Sequence, residues 1–286
     1  MTFAVKPLTR AIGAEISDVD IAAGVDDATF RQIEEAFNRH SVILFRDQQL
    51  TPEQHVRFSR RFGELEVHVL QQYLEPGFPE LLVISNVVDA NGKAVGLADA
   101  GSVWHTDLSY MQKPSRAALL YSVEIPRDAM GQPLGDTLFS STAAAYDALP
   151  ADTRLRIDGL RAVHSYARTR KNRSAKRGPL TEQQKAIPDV LHPVVRTHPV
   201  TGRRGIFVNA GLTVEIDGLP ETESTELLDR LFAHVIRPEF VYRHRWREGD
   251  LLCWDNYATQ HIAMHDYALP QRRFMRRTTV LGDVPY

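Results

Sequence analysis

A histidine and a carboxylate two residues apart on extended backbone can hold one metal ion together, because successive strand side chains alternate faces and residues i and i+2 share one. His105 and Asp107, in W-H-T-D at Trp104 to Asp107, are such a pair. By itself the pair decides nothing. With 11 His and 20 Asp in 286 residues, chance alone gives roughly 0.8 such pairs. A surface pair, or a histidine oriented by a carboxylate, would account for it. A metal needs a further ligand from a distant segment. Two histidines and one carboxylate on one face of an octahedral iron(II) ion leave three adjacent positions for small molecules.

A second chemically loaded region lies near the end of the chain, in WDNYATQHIAMHDYALPQRRFMRRTTVLGD. There His261 follows the run DLLCW and a turn at Asp255 and Asn256. It precedes a segment, Arg272 to Leu281, that reads as a strand. In that strand Arg273, Met275, Arg277 and Thr279 share one face, and Arg272, Phe274, Arg276 and Thr278 share the other. An inward arginine is costly unless it meets an anion, and its planar fork suits a carboxylate held in bidentate fashion. The alternation alone does not say which face is inward. A sheet edge with both faces partly exposed would carry the same pattern.

These groups need a scaffold. SVILFRD, PELLVIS, AALLYSVEI, GIFVN, FVYRHRW and DLLCW are short runs bounded by Gly, Pro, Asp or Asn, and they read as strands. Helices are expected over Asp26 to His40, where Phe30, Ile33 and Phe37 recur at helical spacing. Another should begin at Thr51, where T-P-E-Q supplies an N-cap, a proline at the first helical position and Gln54 to close a capping box. Further helical patterns cover Ser141 to Leu149, Thr153 to Ala162 and Glu221 to Val235. Strands outnumber helices and the order is not a regular βαβ alternation. The expected fold is therefore mainly β with helical insertions, an antiparallel sandwich or barrel, and the whole chain, 1–286, reads as one domain.

Composition narrows the function. With 43% hydrophobic and 24% charged residues, the chain can bury a sizeable core. A formal charge of −2 gives no basic field for nucleic acid or an anionic membrane, so a small substrate is expected. The single cysteine, Cys253, forms no internal disulfide and no thiolate-rich zinc site. The N-terminal segment has no signal pattern, and no apolar run reaches membrane-spanning length. The cytoplasm is the expected location. Two segments are noted for their composition. RTRKNRSAKR, Arg168 to Arg177, is a basic run that reads as a solvated loop, a lid or an anion site. NVVDANGKAVGLADAGSV, Asn86 to Val103, reads as an active-site loop that orders on ligand binding or as a long hairpin connection.

Taken together, W-H-T-D, G-D-T at Gly135 to Thr137, L-H-P-V-V-R-T-H-P-V-T-G at Leu191 to Gly202, W-D-N-x-x-T-Q-H at Trp254 to His261 and Y-x-L-P-Q-R-R-x-M-x-R-T at Tyr267 to Thr278 resemble the taurine dioxygenase family of Fe(II)/2-oxoglutarate-dependent oxygenases. The resemblance covers nearly the whole chain. It implies a double-stranded β-helix (jelly-roll) core and iron held by His105, Asp107 and His261. It implies that Arg273 binds the distal carboxylate of 2-oxoglutarate and that the Thr137 hydroxyl assists. Arg277 falls where the family has an arginine for a sulfonate or carboxylate substrate, and His68, after F-G-E-L, falls where a substrate-contacting histidine lies. Ala268 looks inserted before L-P-Q-R-R, so Arg272 and Arg276 stand as a second register.

The implied reaction consumes 2-oxoglutarate and oxygen, hydroxylates a small anionic substrate, and yields succinate and carbon dioxide. The resemblance also implies a homodimer or homotetramer. Taurine itself is disfavoured, because the taurine enzymes carry an asparagine where this chain has Gly101. His192 and His198 match motif positions that are not ligands and read as structural. His265, four residues after His261, would mimic a helical metal pair, but its context is strand and turn. Two competing hypotheses are a metal-binding β-barrel module without oxygenase activity, which needs no carboxylate clamp, and a zinc hydrolase using the same triad.

Overall fold

The computed structural model describes residues 3–68, 71–168 and 180–286. Its largest element is an eight-stranded sheet in the order Ala4–Pro7, Ala14–Ser17, Val42–Phe45, Leu251–Asp255, Ala117–Glu124, Phe274–Val280, Phe78–Ser85, Leu74–Glu75. All its pairings are antiparallel except that of Ala14–Ser17 with Val42–Phe45. A three-stranded sheet joins Val241–His244, Thr137–Ser141 and Thr259–Ala263. The fold is mainly β with helices, as expected. No helix among the described residues is long and apolar enough to cross a membrane.

Val42–Phe45 and Leu251 to Trp254 are apolar on successive residues because both faces of these strands are covered. Ile43, Phe45, Leu119, Leu251 and Cys253 enter one core cluster with Phe30, Ile33, Phe37, Phe58 and Phe62 of the N-terminal helices. Val42, Leu44, Leu120, Leu252 and Trp254 enter another, which also holds Phe139, Trp246 and Met275. The metal-ligand candidates border this second cluster. Phe37 is fully buried and meets Phe62 edge to face at 5.2 Å. Phe37→Ala should lower the free energy of unfolding by about 3–5 kcal/mol in a urea titration and leave the metal affinity of the folded protein unchanged.

The helix signals worked where their chemistry was local. Asp26 caps the helix Asp27–His40 by accepting from the Thr29 N–H, and Thr51 with Gln54 forms the capping box of Pro52–Ser59. Ser141 caps Thr142–Asp147, and Glu221–Val235 is helical as read. Thr153 to Ala162 is corrected. The helix spans Ala151–Ile157, the chain turns at Gly159 (φ 74°), and Arg161–His164 is a strand paired with Val190–Pro193.

The segment 86–103 runs back along Phe78–Ser85, with the Leu97 N–H donating to Val83 O at 2.9 Å and the Ser85 N–H to Leu97 O at 3.2 Å. Gly96 permits this approach, since a Cβ there would lie 2.8 Å from Val83 and Ser85 side-chain carbons. Of the basic run, only Arg168 lies within the described residues, where it pairs with Glu215 and Asp189.

Candidate metal centre and anion site

His105 and His261 face each other across a single antiparallel bridge. The His105 N–H donates to His261 O at 3.1 Å and the His261 N–H to His105 O at 2.9 Å. W-H-T-D is thus a short extended stretch rather than a strand of a ladder, and two extended residues suffice to keep His105 and Asp107 on one side. The chain then turns at Leu108 (φ 56°). Side chains from the W-D-N segment fix the aspartate. The Asp107 N–H donates to Asn256 Oδ1 at 3.2 Å, and Trp254 Nε1 donates to Asp107 Oδ2 at 3.2 Å.

His105 Nε2 is 3.6 Å from Asp107 Oδ1, and His261 Nε2 is 3.9 Å from Asp107 Oδ2. One ligand atom from each of the three residues falls within 4.8 Å of the others, so a single ion can be reached by all three. His105 Nδ1 lies 2.8 Å from Val103 O, a carbonyl that can only accept. The proton is therefore on Nδ1, and Nε2 presents a lone pair to the centre. The His261 ring has Phe139 and Trp254 as neighbours, with centroids 5.7 and 4.8 Å away, and its Nδ1 has no hydrogen-bond partner among the described residues. Burial, then repulsion from His105, pushes the His261 pKa down to about 3, so the ring is neutral, as a ligand must be. Burial opposes ionisation of Asp107, but Arg277 and the two histidines outweigh it and hold the carboxyl well below the usual range.

A buried cation lies beyond the triad. Arg273 is 2% exposed, and its Nε has no hydrogen-bond partner among the described residues. Its Nη1 comes 3.5 Å from the Tyr267 hydroxyl, and among the described residues no carboxylate forms an ion pair with it. Gly135 makes room for this arrangement. Its φ is +75°, and a Cβ there would lie 2.9 Å from the Tyr267 ring and 3.3 Å from Arg273 Nε. Thr137, two residues on, accepts from Trp246 Nε1 at 3.0 Å.

Residues 4–279 match the model of the taurine catabolism dioxygenase TauD, TfdA family. The chain belongs to this family. It is 36% identical to an alpha-ketoglutarate-dependent 2,4-dichlorophenoxyacetate dioxygenase of Cupriavidus pinatubonensis over 99% of each chain. It is 34% identical to an alpha-ketoglutarate-dependent sulfate ester dioxygenase of Pseudomonas putida, covering 98% of this chain and 90% of the relative. A solved taurine dioxygenase from Burkholderia xenovorans superimposes with a TM-score of 0.82 at 36% identity, covering all of this chain and 91% of the other.

The two arginine registers of the family motif separate cleanly in space. Arg277 Nη1 lies 3.3 Å from Asp107 Oδ1, which puts Arg277 at the triad on the same strand face as Arg273. Arg272 is exposed and paired with Glu124 at 3.0 Å, and Arg276 pairs with Glu75 at 3.1 Å. Both members of the second register thus have carboxylate partners. His68 is half-buried, and its pKa is pushed down to about 4, first by burial and then by the Arg277 charge.

Sequence reading passed over Glu66, two residues earlier. Burial raises its pKa, and it feels both Arg277 and Asp107. It also gave no individual role to Trp254 or Asn256, although W-D-N was visible as a motif. The remaining histidines stand apart from the triad. His192 bonds Met111 O at 2.9 Å, His198 bonds Asp255 Oδ2 at 2.7 Å, and His265 is exposed.

Proposed function

We propose that the protein holds iron(II) with His105, Asp107 and His261 and uses 2-oxoglutarate and oxygen to hydroxylate a small organic anion, a sulfonate or a carboxylate, with succinate and carbon dioxide as co-products. The observation that carries this reading is Arg273, a buried guanidinium with no carboxylate partner among the described residues, in a chain whose two histidines and one carboxylate converge on a single point. A buried, unpaired cation is expensive, and a dicarboxylate co-substrate supplies the missing charge. A metal-binding module without turnover, or a zinc hydrolase, has no use for it. An iron(II) ion held there would be chelated by the keto acid and would supply the activation of oxygen. The chain's own residues supply everything else: Arg273 and Thr137 orient the distal carboxylate, and Arg277 with His68 receives the substrate anion. Trp254 and Asn256 keep Asp107 in place, and the apolar wall of Phe139 and Trp254 limits water around His261.

The double-stranded β-helix is our reading of the eight-stranded and three-stranded sheets packed around the cluster of Phe139, Trp246, Trp254 and Met275. One domain over 1–286, a cytoplasmic location, in keeping with the lone buried Cys253, and a homodimer or homotetramer complete the proposal.

The test has two parts. Under anaerobic conditions, iron(II) with 2-oxoglutarate should give a visible charge-transfer band, and its absence at saturating 2-oxoglutarate would remove the co-substrate assignment. A panel of sulfonates, carboxylates, phenoxyalkanoates and sulfate esters should then contain a compound that stimulates succinate release, with taurine a poor member.

A further inference from the structure

We propose that Trp246 is a positioning residue for 2-oxoglutarate: by donating its indole N–H to Thr137 it turns that hydroxyl's single hydrogen toward the distal carboxylate of the co-substrate. The inference rests on the reading of Thr137 and Arg273 given above and adds what sets the polarity of the threonine.

An indole N–H donates and never accepts, whereas a threonine hydroxyl has one hydrogen and two acceptor lone pairs. Trp246 Nε1 stands 3.0 Å from Thr137 Oγ1, and both residues are buried, at 0% and 3% exposure. Thr137 is therefore the acceptor in this contact, and its own hydrogen must go elsewhere. Among the described residues no acceptor takes it. In the three-stranded sheet Phe139 is opposite His261 and Thr137 is opposite Ala263, so Thr137 is on the face that carries the metal ligand. Gly135, where an added Cβ would lie 3.3 Å from Arg273 Nε, is two residues away. A free donor on this face, with a guanidinium that has no carboxylate partner among the described residues packed close to Gly135, is the complement of a carboxylate.

The indole cannot easily turn away. It belongs to the buried cluster that also holds Phe139, Leu252, Trp254 and Met275. On another side the His244 ring meets it edge-on, with centroids 4.4 Å apart and planes at 89°. His244 is itself held at both nitrogens. Nδ1 accepts from the Tyr242 hydroxyl at 2.9 Å and Nε2 donates to Asp250 Oδ2 at 3.1 Å, the tautomer that an acceptor-only carboxylate requires. Asp250 receives Arg46 Nη1 at 2.6 Å and the Arg247 N–H at 2.8 Å. Tyr242, His244 and Trp246 alternate with the exposed Arg243 and Arg245, so one extended segment delivers both the prop and the donor.

The experiment is an anaerobic titration of 2-oxoglutarate into the iron(II)-loaded protein, read from the charge-transfer band, for wild type, Trp246→Phe, Thr137→Val and the double variant. Trp246→Phe keeps an aromatic ring and removes the N–H. It should weaken 2-oxoglutarate by about three- to tenfold, the scale of one charge-assisted hydrogen bond losing its alignment. Iron affinity measured without 2-oxoglutarate should stay within about twofold on that argument. Thr137→Val should weaken 2-oxoglutarate at least as much, and adding Trp246→Phe to it should change nothing further, because the tryptophan acts only through the hydroxyl.

Additive losses would mean that Trp246 acts through packing and would overturn the proposal, as would wild-type affinity in Trp246→Phe when Thr137→Val is impaired. If Thr137→Val also binds normally, the co-substrate reading of Thr137 falls and the proposal with it. Should Trp246→Phe fail to fold, a benzothienylalanine at 246, which replaces N–H by sulfur in a ring of the same shape, must show the same loss for the proposal to stand.

Discussion

Asp107→Ala is expected to abolish high-affinity iron(II) binding, with a loss well beyond the roughly 10- to 100-fold typical of residues one shell further from a metal. Three protein ligands leave none to spare, and the carboxylate supplies the only negative charge among them. Its position is also the most heavily constrained of the three. Trp254, Arg277 and the Asn256 amide all converge on Asp107, through Oδ2, Oδ1 and the backbone N–H. Asp107→Asn separates the charge from the geometry, since its amide oxygen can still accept from Trp254. It should fold like wild type and still bind iron far more weakly. His105→Ala and His261→Ala should match it, measured by equilibrium dialysis under anaerobic conditions. His192→Ala and His198→Ala should instead lower thermal stability, because their partners are Met111 O and Asp255, and leave the iron affinity of the folded protein intact. Near-normal iron binding by any of the three ligand variants would strike that residue from the triad.

What could be read before the structure was what short-range chemistry decides. Thr51 and Gln54 are three residues apart and close their box on each other, so the helix start is written locally. Strands such as Val42–Phe45 and Leu251–Asp255 were recognisable as apolar runs, and their two-sided burial is why they show no alternation. Where the reading slipped, tertiary pairing overrode a local pattern. Arg161–His164 continues the helical spacing of Thr153 to Ile157, yet Val190–Pro193 recruits it as a strand. Ala4–Pro7 is exposed throughout and offers no hydrophobic period at all.

The site divides in the same way. His105 and Asp107 are neighbours in sequence, and His261 became legible as a ligand only through the company of the other motifs. The arginine strand resisted because both of its faces carry arginine, so alternation could not favour either. What distinguishes the two faces is tertiary: Arg272 and Arg276 pair with Glu124 and Glu75, which lie 148 and 201 residues away. Trp246 and Thr137, 109 residues apart, became a pair only when the sheet placed them together.

Arg273→Ala should weaken 2-oxoglutarate by about 30- to 1000-fold, the effect of losing a charge-assisted bidentate contact of about 2–4 kcal/mol. Arg277→Ala should weaken the primary substrate by a similar factor and change 2-oxoglutarate far less. Arg277 also touches Asp107, so its removal takes a positive neighbour from a metal ligand and alters iron affinity. Each titration must therefore be run at saturating iron(II), with metal occupancy measured in parallel. Lysine should rescue neither position, since an ammonium cannot reproduce the planar fork. Arg272→Ala breaks an exposed pair with Glu124, a type of contact worth about 0–1 kcal/mol, and should leave both ligands within about twofold of wild type. Arg276→Ala leaves Glu75 without its cation and should act on stability rather than on either ligand. If the large effects fall on Arg272 and Arg276 instead, the clamp lies in the other register. If none of the four variants changes the binding of either ligand, the strand holds no anion and the counter-ion of Arg273 must be sought elsewhere.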